Sequence, residues 1–165
     1  MGPIGMEIAR IGVALNMKVE AVRRAARGDE PCPTFAMHEL HDVLARADWV
    51  ASALPLTPDT RRVFDAEAFA AMRPGARFIN VGRGELVDEE ALVVALQSGH
   101  LAGAGLDVFA TEPLPEDSPL WGMDNVIVTP HNSGSSTTSN RRSEEIFLDN
   151  LERWVAGTPL NNLVG

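Results

Sequence analysis

Apolar residues in this chain alternate between helical spacing and short unbroken runs. Over 4–15 the apolar side chains recur every three or four residues, which predicts an amphipathic helix, and the alternating stretch 18–22 predicts a strand. The same succession continues along the chain, with predicted helices at 37–47, 65–72, 88–99 and 136–156 and predicted strands at 48–54, 76–82, 102–109 and 125–130. Strands separated by such helices indicate an α/β fold with a parallel sheet. This domain would span 1–157, followed by a tail over 158–165.

Composition and charge exclude several other classes. The 165 residues are 45% hydrophobic and 22% charged, as in a globular domain, and the net charge of −9 argues against a nucleic-acid partner. No apolar run approaches the roughly 18 residues of a membrane span. Cys32 stands alone, which indicates a reducing cytoplasm rather than a disulfide framework. His38 and His41 are too close for the zinc pattern H-E-x-x-H, and no metal site is predicted.

The chain begins with half of a glycine-rich phosphate-binding loop. Gly2 and Gly5 are three residues apart, and Pro3 stands just inside the first predicted helix. In a dinucleotide-binding fold, a strand and the pattern G-x-G-x-x-G precede the helix whose first amides hold the pyrophosphate. Gly2 and Gly5 fit the second and third of these glycines. Because the first glycine and first strand are not in the sequence, we expect a sheet that lacks its first strand.

Two arginines end the second strand of such a fold. A ribose with a free 2′-hydroxyl is usually bound there by Asp or Glu, whereas a 2′-phosphate is accommodated by arginine. Arg23 and Arg24 occupy that position, and guanidinium groups pair well with phosphate. The sequence therefore favours NADP over NAD as the cofactor, with a solvated basic turn as the alternative.

Three functional groups follow three later strands. Arg83 lies between two glycines after the strand at 76–82, Glu112 follows the strand at 102–109, and His131 follows Pro130 after the last strand. Open parallel sheets bind ligands at the carboxyl ends of their strands, so the three side chains can meet there. An arginine can hold a carboxylate, and a histidine beside a carboxylate can protonate a carbonyl that is being reduced. A structural arginine in a turn and a structural histidine are the alternatives.

Several motifs occur in a fixed order along nearly the whole chain. They are Gly2-Pro3-Ile4-Gly5, Leu54-Pro55-Leu56-Thr57 with Thr60, Asn80-Val81-Gly82-Arg83-Gly84, Gly105-Leu106-Asp107-Val108-Phe109 with Glu112-Pro113, and Asn125-Val126 with Pro130-His131. In this order and spacing the chain resembles the nucleotide-binding half of the D-isomer-specific 2-hydroxyacid dehydrogenases. The resemblance implies a Rossmann-like doubly wound parallel sheet, here without its first strand and without the family's separate substrate domain.

The resemblance also implies roles for the site residues. Arg83 would hold the carboxylate and carbonyl oxygen of a 2-oxo acid. His131 would donate the proton, and Glu112 would orient His131 and keep it protonated. A longer set would line the cofactor from its pyrophosphate and adenosine to its nicotinamide: Gly2, Pro3, Ile4, Arg23, Arg24, Leu54, Pro55, Thr60, Val81, Gly82, Arg83, Asp107, His131, Ser133 and Gly134.

Two functions of different classes remain open. The first is an NAD(P)-dependent oxidoreductase, NADP being preferred, that interconverts 2-oxo acids and D-2-hydroxy acids such as glyoxylate or hydroxypyruvate, in a homodimer as is common among relatives. The second is an inactive truncated fragment or partial gene model that binds at most a nucleotide or a protein partner. The second reading depends on the expected absence of the first strand and of the substrate domain, to which the tail over 160–165 would return.

Overall fold

Strands and helices alternate along the computed structural model, which describes residues 2–163. The helices are α1 (Pro3–Ala14), α2 (Leu40–Leu44), α3 (Ala66–Ala71), α4 (Glu89–Gln97) and α5 (Ser139–Ala156). The strands are β1 (Ala21–Val22), β2 (Thr34–Phe35), β3 (Trp49–Ser52), β4 (Ala76–Asn80), β5 (Leu101–Leu106) and β6 (Val126–Val128). Short 3₁₀ turns lie at Met37–Glu39, Gly84–Leu86 and Pro119–Gly122. Backbone contacts divide the chain into a unit that ends at His131 and a unit that begins at Asn132.

The strands form two parallel sheets within the described residues. β1 pairs with β2, and β3, β4, β5 and β6 lie side by side in that order. In the larger sheet, Ser52 of β3 lies opposite Asn80 of β4, which lies opposite Leu106 of β5. The carboxyl ends of these strands therefore reach the same edge. This arrangement confirms the predicted α/β fold with parallel strands.

The two sheets are separate in the part of the chain that the structure describes. In a doubly wound sheet of order 3-2-1-4-5-6, the first strand lies between the second and the fourth. In chain order β1 and β2 correspond to the second and third strands of that arrangement, and β3 corresponds to the fourth. No strand within residues 2–163 connects β1 to β3.

The main hydrophobic core lies between the larger sheet and helices α2, α3 and α4. Phe78 at the middle of β4 is fully buried, and its ring meets Phe64 and Phe69 edge-on, with ring centres 4.9 and 5.3 Å apart. Burying a side chain of this size stabilises the fold by about 1.5–3 kcal/mol. The other large side chains that are fully buried are Leu44, Met72, Leu86, Leu92, Leu101 and Leu120. This packing fixes β4 and β5, whose carboxyl ends carry functional residues.

Side-chain caps begin two of the core helices. The Asp65 carboxylate accepts a hydrogen bond from the Ala68 N–H (2.9 Å), and the Asp88 carboxylate accepts one from the Ala91 N–H (3.2 Å). These bonds satisfy backbone donors that have no partner within the helix. At the carboxyl end of α5, Gly157 has a φ of 68°, a left-handed conformation that glycine adopts without a steric penalty.

The structure differs from the predicted elements mainly between β1 and β3. The predicted strand at 18–22 is paired only over Ala21–Val22, and β2 was not predicted. β2 has two residues and follows Pro33, so it is too short to show a periodic pattern. The predicted helix at 37–47 begins as a 3₁₀ turn and is α-helical only over Leu40–Leu44.

The second unit consists of the segment 132–138, α5 and the segment that follows it. The tail turns back along the helix, because the Asn161 N–H donates to Asn150 Oδ1 and the Asn161 amide donates to Asp149 Oδ2, both at 2.7 Å. Met1, Val164 and Gly165 lie outside the described residues, so the predicted tail is described only to Leu163. A search of residues 2–163 finds no helix with the length and hydropathy needed to cross a bilayer.

Candidate active site

Glu112 and His131, which are 19 residues apart in sequence, are in direct contact. Nδ1 of His131 lies 2.7 Å from Oε2 of Glu112, and both side chains are partly exposed. The other Glu112 oxygen accepts a hydrogen bond from the Phe109 N–H at 3.0 Å. The pKa of Glu112 lies below its usual value, chiefly because of the His131 hydrogen bond, next because of the Phe109 N–H, and in smaller part because of the positive charge of Arg83. Glu112 is therefore an ionised acceptor near neutral pH.

Arg83 stands on a turn that is packed against two neighbouring segments. A side chain at Gly82 would approach the Leu54 carbonyl oxygen to 2.8 Å, and one at Gly84 would overlap the Phe109 carbonyl group. Both positions therefore require glycine for close approach of the backbone. The Arg83 side chain is exposed, and its Nη1 donates to the Gly82 carbonyl at 2.7 Å. The guanidinium keeps donors with which it can bind a carboxylate.

Backbone hydrogen bonds hold His131 in an unusual conformation. Its φ is 49°, in the left-handed region that residues with a side chain seldom adopt. Its N–H donates to the Asp107 carbonyl oxygen at 2.8 Å and is also 3.1 Å from that of Thr129. With Nδ1 on Glu112, the ring keeps Nε2 available, since no residue in 2–163 bonds to it. Such outliers often occur at functional sites.

Asp107 is the buried acid at the end of β5. It is 3% exposed, and its Oδ1 accepts a hydrogen bond from the Thr129 hydroxyl at 2.6 Å. This bond ties the end of β5 to the residue that follows β6, two positions before His131. The predicted nicotinamide-side residue Asp107 is therefore fixed next to the backbone that carries His131.

The first turn of α1 offers backbone donors for an anion. Gly2 is the N-cap and makes no side-chain cap, while Pro3 occupies the first turn. Uncapped amides at a helix N-terminus favour negative charge such as a pyrophosphate. Ile4 is 58% exposed beside them. Gly2, Pro3 and Ile4 therefore lie at a helix N-terminus, and their contact with a pyrophosphate stays a prediction.

The two arginines after β1 have different surroundings. Arg23 is 8% exposed and forms an ion pair with Glu30, with Nη1 and Oε1 2.5 Å apart. Arg24 is exposed and makes no side-chain hydrogen bond or ion pair within the described chain. Glu30 was not predicted from the sequence, because it lies seven residues from its partner and belongs to no motif.

Glu30 also closes the turn that follows the arginines. Its carboxylate accepts hydrogen bonds from the Arg27 and Gly28 N–H groups, both at 2.8 Å. The Arg27 N–H is the largest cause that lowers the pKa of Glu30 to about 2, and the Gly28 N–H and Arg23 guanidinium also contribute. From the sequence, Glu30 could have been predicted only as the residue that closes a turn containing Gly28, a glycine with positive φ.

Most of the other predicted residues lie on the loops that follow β3 and β4. The Thr60 hydroxyl donates to the Pro55 carbonyl at 2.7 Å and accepts from the Thr57 N–H at 2.8 Å, which closes the loop after β3. Leu54 and Val81 are half-buried. Ser133 and Gly134 belong to the second unit. Within residues 2–163, no cluster of three metal-ligating side chains occurs.

The family of the chain follows from its similarity to known proteins. Residues 1–133 match the family model described as D-isomer specific 2-hydroxyacid dehydrogenase, NAD binding domain. The matched segment is most of the chain and contains Arg83, Glu112 and His131. The chain therefore belongs to the D-isomer-specific 2-hydroxyacid dehydrogenase family.

Individual relatives resemble the chain over half of their own length. A glyoxylate/hydroxypyruvate reductase B of Shigella boydii is 46% identical, covering 99% of this chain and 51% of that protein. A hydroxypyruvate reductase of Blautia hydrogenotrophica is 40% identical, covering 97% of this chain and 50% of that protein. The chain thus spans about half the length of the curated relatives it matches.

Solved structures share the fold at the same level of identity. An NADPH-dependent glyoxylate/hydroxypyruvate reductase of Sinorhizobium meliloti, in complex with NADP and sulfate, superimposes with a TM-score of 0.92 at 38% identity, covering 99% of this chain and 53% of that one. A D-isomer specific 2-hydroxyacid dehydrogenase of Xanthobacter autotrophicus, in complex with NADPH and MES, superimposes with a TM-score of 0.85 at 44% identity. The match covers 96% of this chain and 64% of that one. The Rossmann-like fold expected from the sequence is confirmed.

Proposed function

We propose that the chain carries the catalytic and cofactor-binding half of an NAD(P)-dependent oxidoreductase that interconverts 2-oxo acids and D-2-hydroxy acids. The observation that carries the proposal is the 2.7 Å contact between His131 Nδ1 and Glu112 Oε2, with the positive charge of Arg83 acting on the same carboxylate. This set provides a proton donor, its orienting acid and a carboxylate-binding cation. A carbonyl reduction needs these groups from the protein.

The ionised Glu112 carboxylate sets the direction of proton transfer. It accepts a hydrogen bond from Nδ1–H of His131 and stabilises the charged ring. Nε2 then carries the second proton, which the ring can donate to the carbonyl oxygen of a bound 2-oxo acid. Arg83 orients that substrate by a paired hydrogen bond to its carboxylate. In the reverse direction the same histidine accepts the proton of a 2-hydroxy acid.

A nicotinamide cofactor would supply the hydride when it is bound. The uncapped first turn of α1 fits its pyrophosphate, and the Arg83 turn follows β4 at the carboxyl edge of the sheet, where open parallel sheets bind ligands. We propose NADP as the preferred form, because Arg24 is an exposed cation at the end of β1 and no acid takes its position. The two similar structures with NADPH and NADP support this preference.

We propose small 2-oxo acids such as glyoxylate or hydroxypyruvate as substrates. The relatives named for these substrates are 40–46% identical to the chain over the matched region. Arg83 suits the carboxylate that these acids share. A homodimer and a location in the reducing cytoplasm, indicated by the single cysteine, remain predictions from the sequence.

A second candidate is a chain that binds a nucleotide or a protein partner without turnover. The observation that favours it is the match to only about half of each relative's length. This alternative keeps the phosphate-binding turn of α1 and gives no role to His131.

The two candidates are separated by measuring binding and turnover on one preparation. The purified chain is titrated with NADPH and NADH by nicotinamide fluorescence, and NADPH oxidation is followed with glyoxylate and hydroxypyruvate. The first candidate predicts turnover that falls by about 10²–10⁴-fold in His131→Gln while NADPH affinity is retained. NADPH binding without turnover in the parent chain supports the second candidate. A folded chain that binds neither nucleotide contradicts the first candidate and the nucleotide-binding form of the second.

A further inference from the structure

The side chain of Asn80 bridges two backbone groups of the turn that carries Arg83. Asn80 is the last residue of β4 and is 1% exposed. Its Nδ2 donates to the Arg83 carbonyl oxygen, and its Oδ1 accepts a hydrogen bond from the Gly82 N–H, both at 3.0 Å. The buried amide thus uses a donor and an acceptor on one three-residue turn.

The backbone of Asn80 connects this turn to the other side of the site. Its carbonyl oxygen accepts a hydrogen bond from the Asp107 N–H at 3.1 Å, and the Asp107 carbonyl accepts one from the His131 N–H at 2.8 Å. A continuous series of hydrogen bonds therefore runs from the Arg83 turn through Asn80 and Asp107 to His131. Buried polar networks of this kind hold their members in one arrangement when every member is bonded.

Arg83 depends on its backbone for its position. The guanidinium is exposed, and its only side-chain hydrogen bond within the described residues is to the adjacent Gly82 carbonyl. The residue has φ −142° and ψ 147°, an extended conformation between β4 and the 3₁₀ turn at Gly84–Leu86. The Asn80 amide fixes the N–H before Arg83 and the carbonyl of Arg83 itself, so it sets the direction in which the side chain leaves the turn.

We propose that Asn80 is a positioning residue for substrate binding, whose side-chain amide holds Arg83 where it receives the carboxylate of the 2-oxo acid. This inference deepens the proposed function and rests on it. A neutral amide is required because the turn offers one donor and one acceptor. An ionised aspartate could only accept, and leucine could do neither.

The test compares Asn80→Leu and Asn80→Asp with the parent chain in NADPH-dependent glyoxylate reduction. Both variants should raise the KM for glyoxylate by roughly tenfold to a hundredfold, while the KM for NADPH changes by less than about threefold. A protonated aspartate can donate to the Arg83 carbonyl and accept from the Gly82 N–H. The glyoxylate KM of Asn80→Asp should therefore approach that of the parent as the pH falls, whereas Asn80→Leu should not recover. Asn125→Asp, a change at an exposed asparagine, is the matched control.

A second readout does not depend on turnover. Oxalate, which presents the carboxylate of a 2-oxo acid, should shift the Arg83 Nε–Hε NMR resonance of the parent, and at least tenfold more should be needed in Asn80→Leu. Circular dichroism establishes that each variant is folded. Oxalate binding without turnover would contradict the proposed reaction and leave the role of Asn80 supported. Equal loss of NADPH and substrate affinity, no acid recovery in Asn80→Asp, or no oxalate shift in the parent would overturn the role of Asn80.

Discussion

Individual charges in the site are set by their immediate partners. Glu112 is partly exposed, yet its pKa is lowered by the hydrogen bonds from His131 and Phe109 and by the charge of Arg83. The carboxylate is therefore ionised above this lowered pKa. As the pH falls through that pKa, Glu112 is protonated and no longer stabilises the charged His131 ring. Since an ordinary glutamate titrates near pH 4.3, Glu112 is ionised throughout the neutral range.

Replacing Glu112 by glutamine should narrow the pH range of activity from the alkaline side. The amide retains the size of the side chain but no longer stabilises the charged imidazole. The alkaline limb of the kcat/KM profile for glyoxylate should therefore move down by about one pH unit or more. Glu116→Gln, which changes an exposed acid in the same loop, should leave the profile in place. An unshifted alkaline limb in Glu112→Gln would contradict the orienting role.

The two arginines after β1 should contribute unequally to cofactor preference. Arg24 is free to bind a 2′-phosphate, whereas Arg23 is held by Glu30 in a nearly buried pair. Arg24→Gln should weaken NADPH binding about tenfold or more and leave NADH binding unchanged, because a charge-assisted hydrogen bond to phosphate is lost. Fluorescence titration of both cofactors measures the ratio.

The control for this experiment removes the whole ion pair. Arg23→Met with Glu30→Gln leaves no buried charge without a partner, so it avoids the penalty of a single substitution. The ratio of NADPH to NADH affinity should stay within about threefold of the parent value. If the ratio of NADPH to NADH affinity falls in this double variant but not in Arg24→Gln, Arg23 is the residue that binds the 2′-phosphate.

At the sheet edge, glycine allows the backbones of two neighbouring segments to pack closely against each other. The turn after β4 meets the segment after β5 where a side chain at Gly84 would overlap the Phe109 carbonyl and the Ala110 nitrogen. Phe109 also donates its N–H to Glu112. The close approach of these two backbones therefore sets the spacing between the Arg83 turn and the loop of Glu112.

Gly84→Ala should destabilise the fold and displace the site together. The added methyl group has backbone rather than a flexible side chain in its way, and overpacking of this kind costs typically 1–3 kcal/mol or more. Thermal unfolding should show a clear decrease in Tm, with weaker glyoxylate reduction below the transition. Gly122→Ala is the matched control, because nothing lies within 4 Å of its added Cβ and its φ is not in the positive region. Equal Tm values for the two variants would contradict the packing argument.

Stability across the molecule should follow the division into two sheets. The larger sheet carries the buried core around Phe78, whereas β1 and β2 share only two paired positions. Regions with few buried apolar contacts open at lower free energy than the core. Amide hydrogen exchange should therefore be slowest in β4 and β5 and faster by orders of magnitude at β2.

Nucleotide binding at the turn of α1 should slow exchange in the first unit. Uniform exchange over both sheets would contradict this gradient.

Much of this protein could be predicted from local sequence. The alternating apolar pattern predicted the order of helices and strands, and buried runs such as 76–82 identified the central strands. The residues after those strands identified Arg83, Glu112 and His131, because parallel strands must end at one edge. The predicted helices at 65–72 and 88–99 begin at Asp65 and Asp88, which are the N-caps of α3 and α4 in the structure.

Contacts between distant segments could not be predicted from the sequence and are seen only in the folded chain. The pairing of Arg23 with Glu30, the two-residue β2 and the bridge of Asn80 across the Arg83 turn carry no periodic signal. Periodicity reports which face of an element is buried, but it does not report which polar group meets which across a loop. The order and spacing of the residues were enough to predict the class of fold and the chemical groups of the site. The folded chain decided which of those groups are paired, which remain free, and what holds them in place.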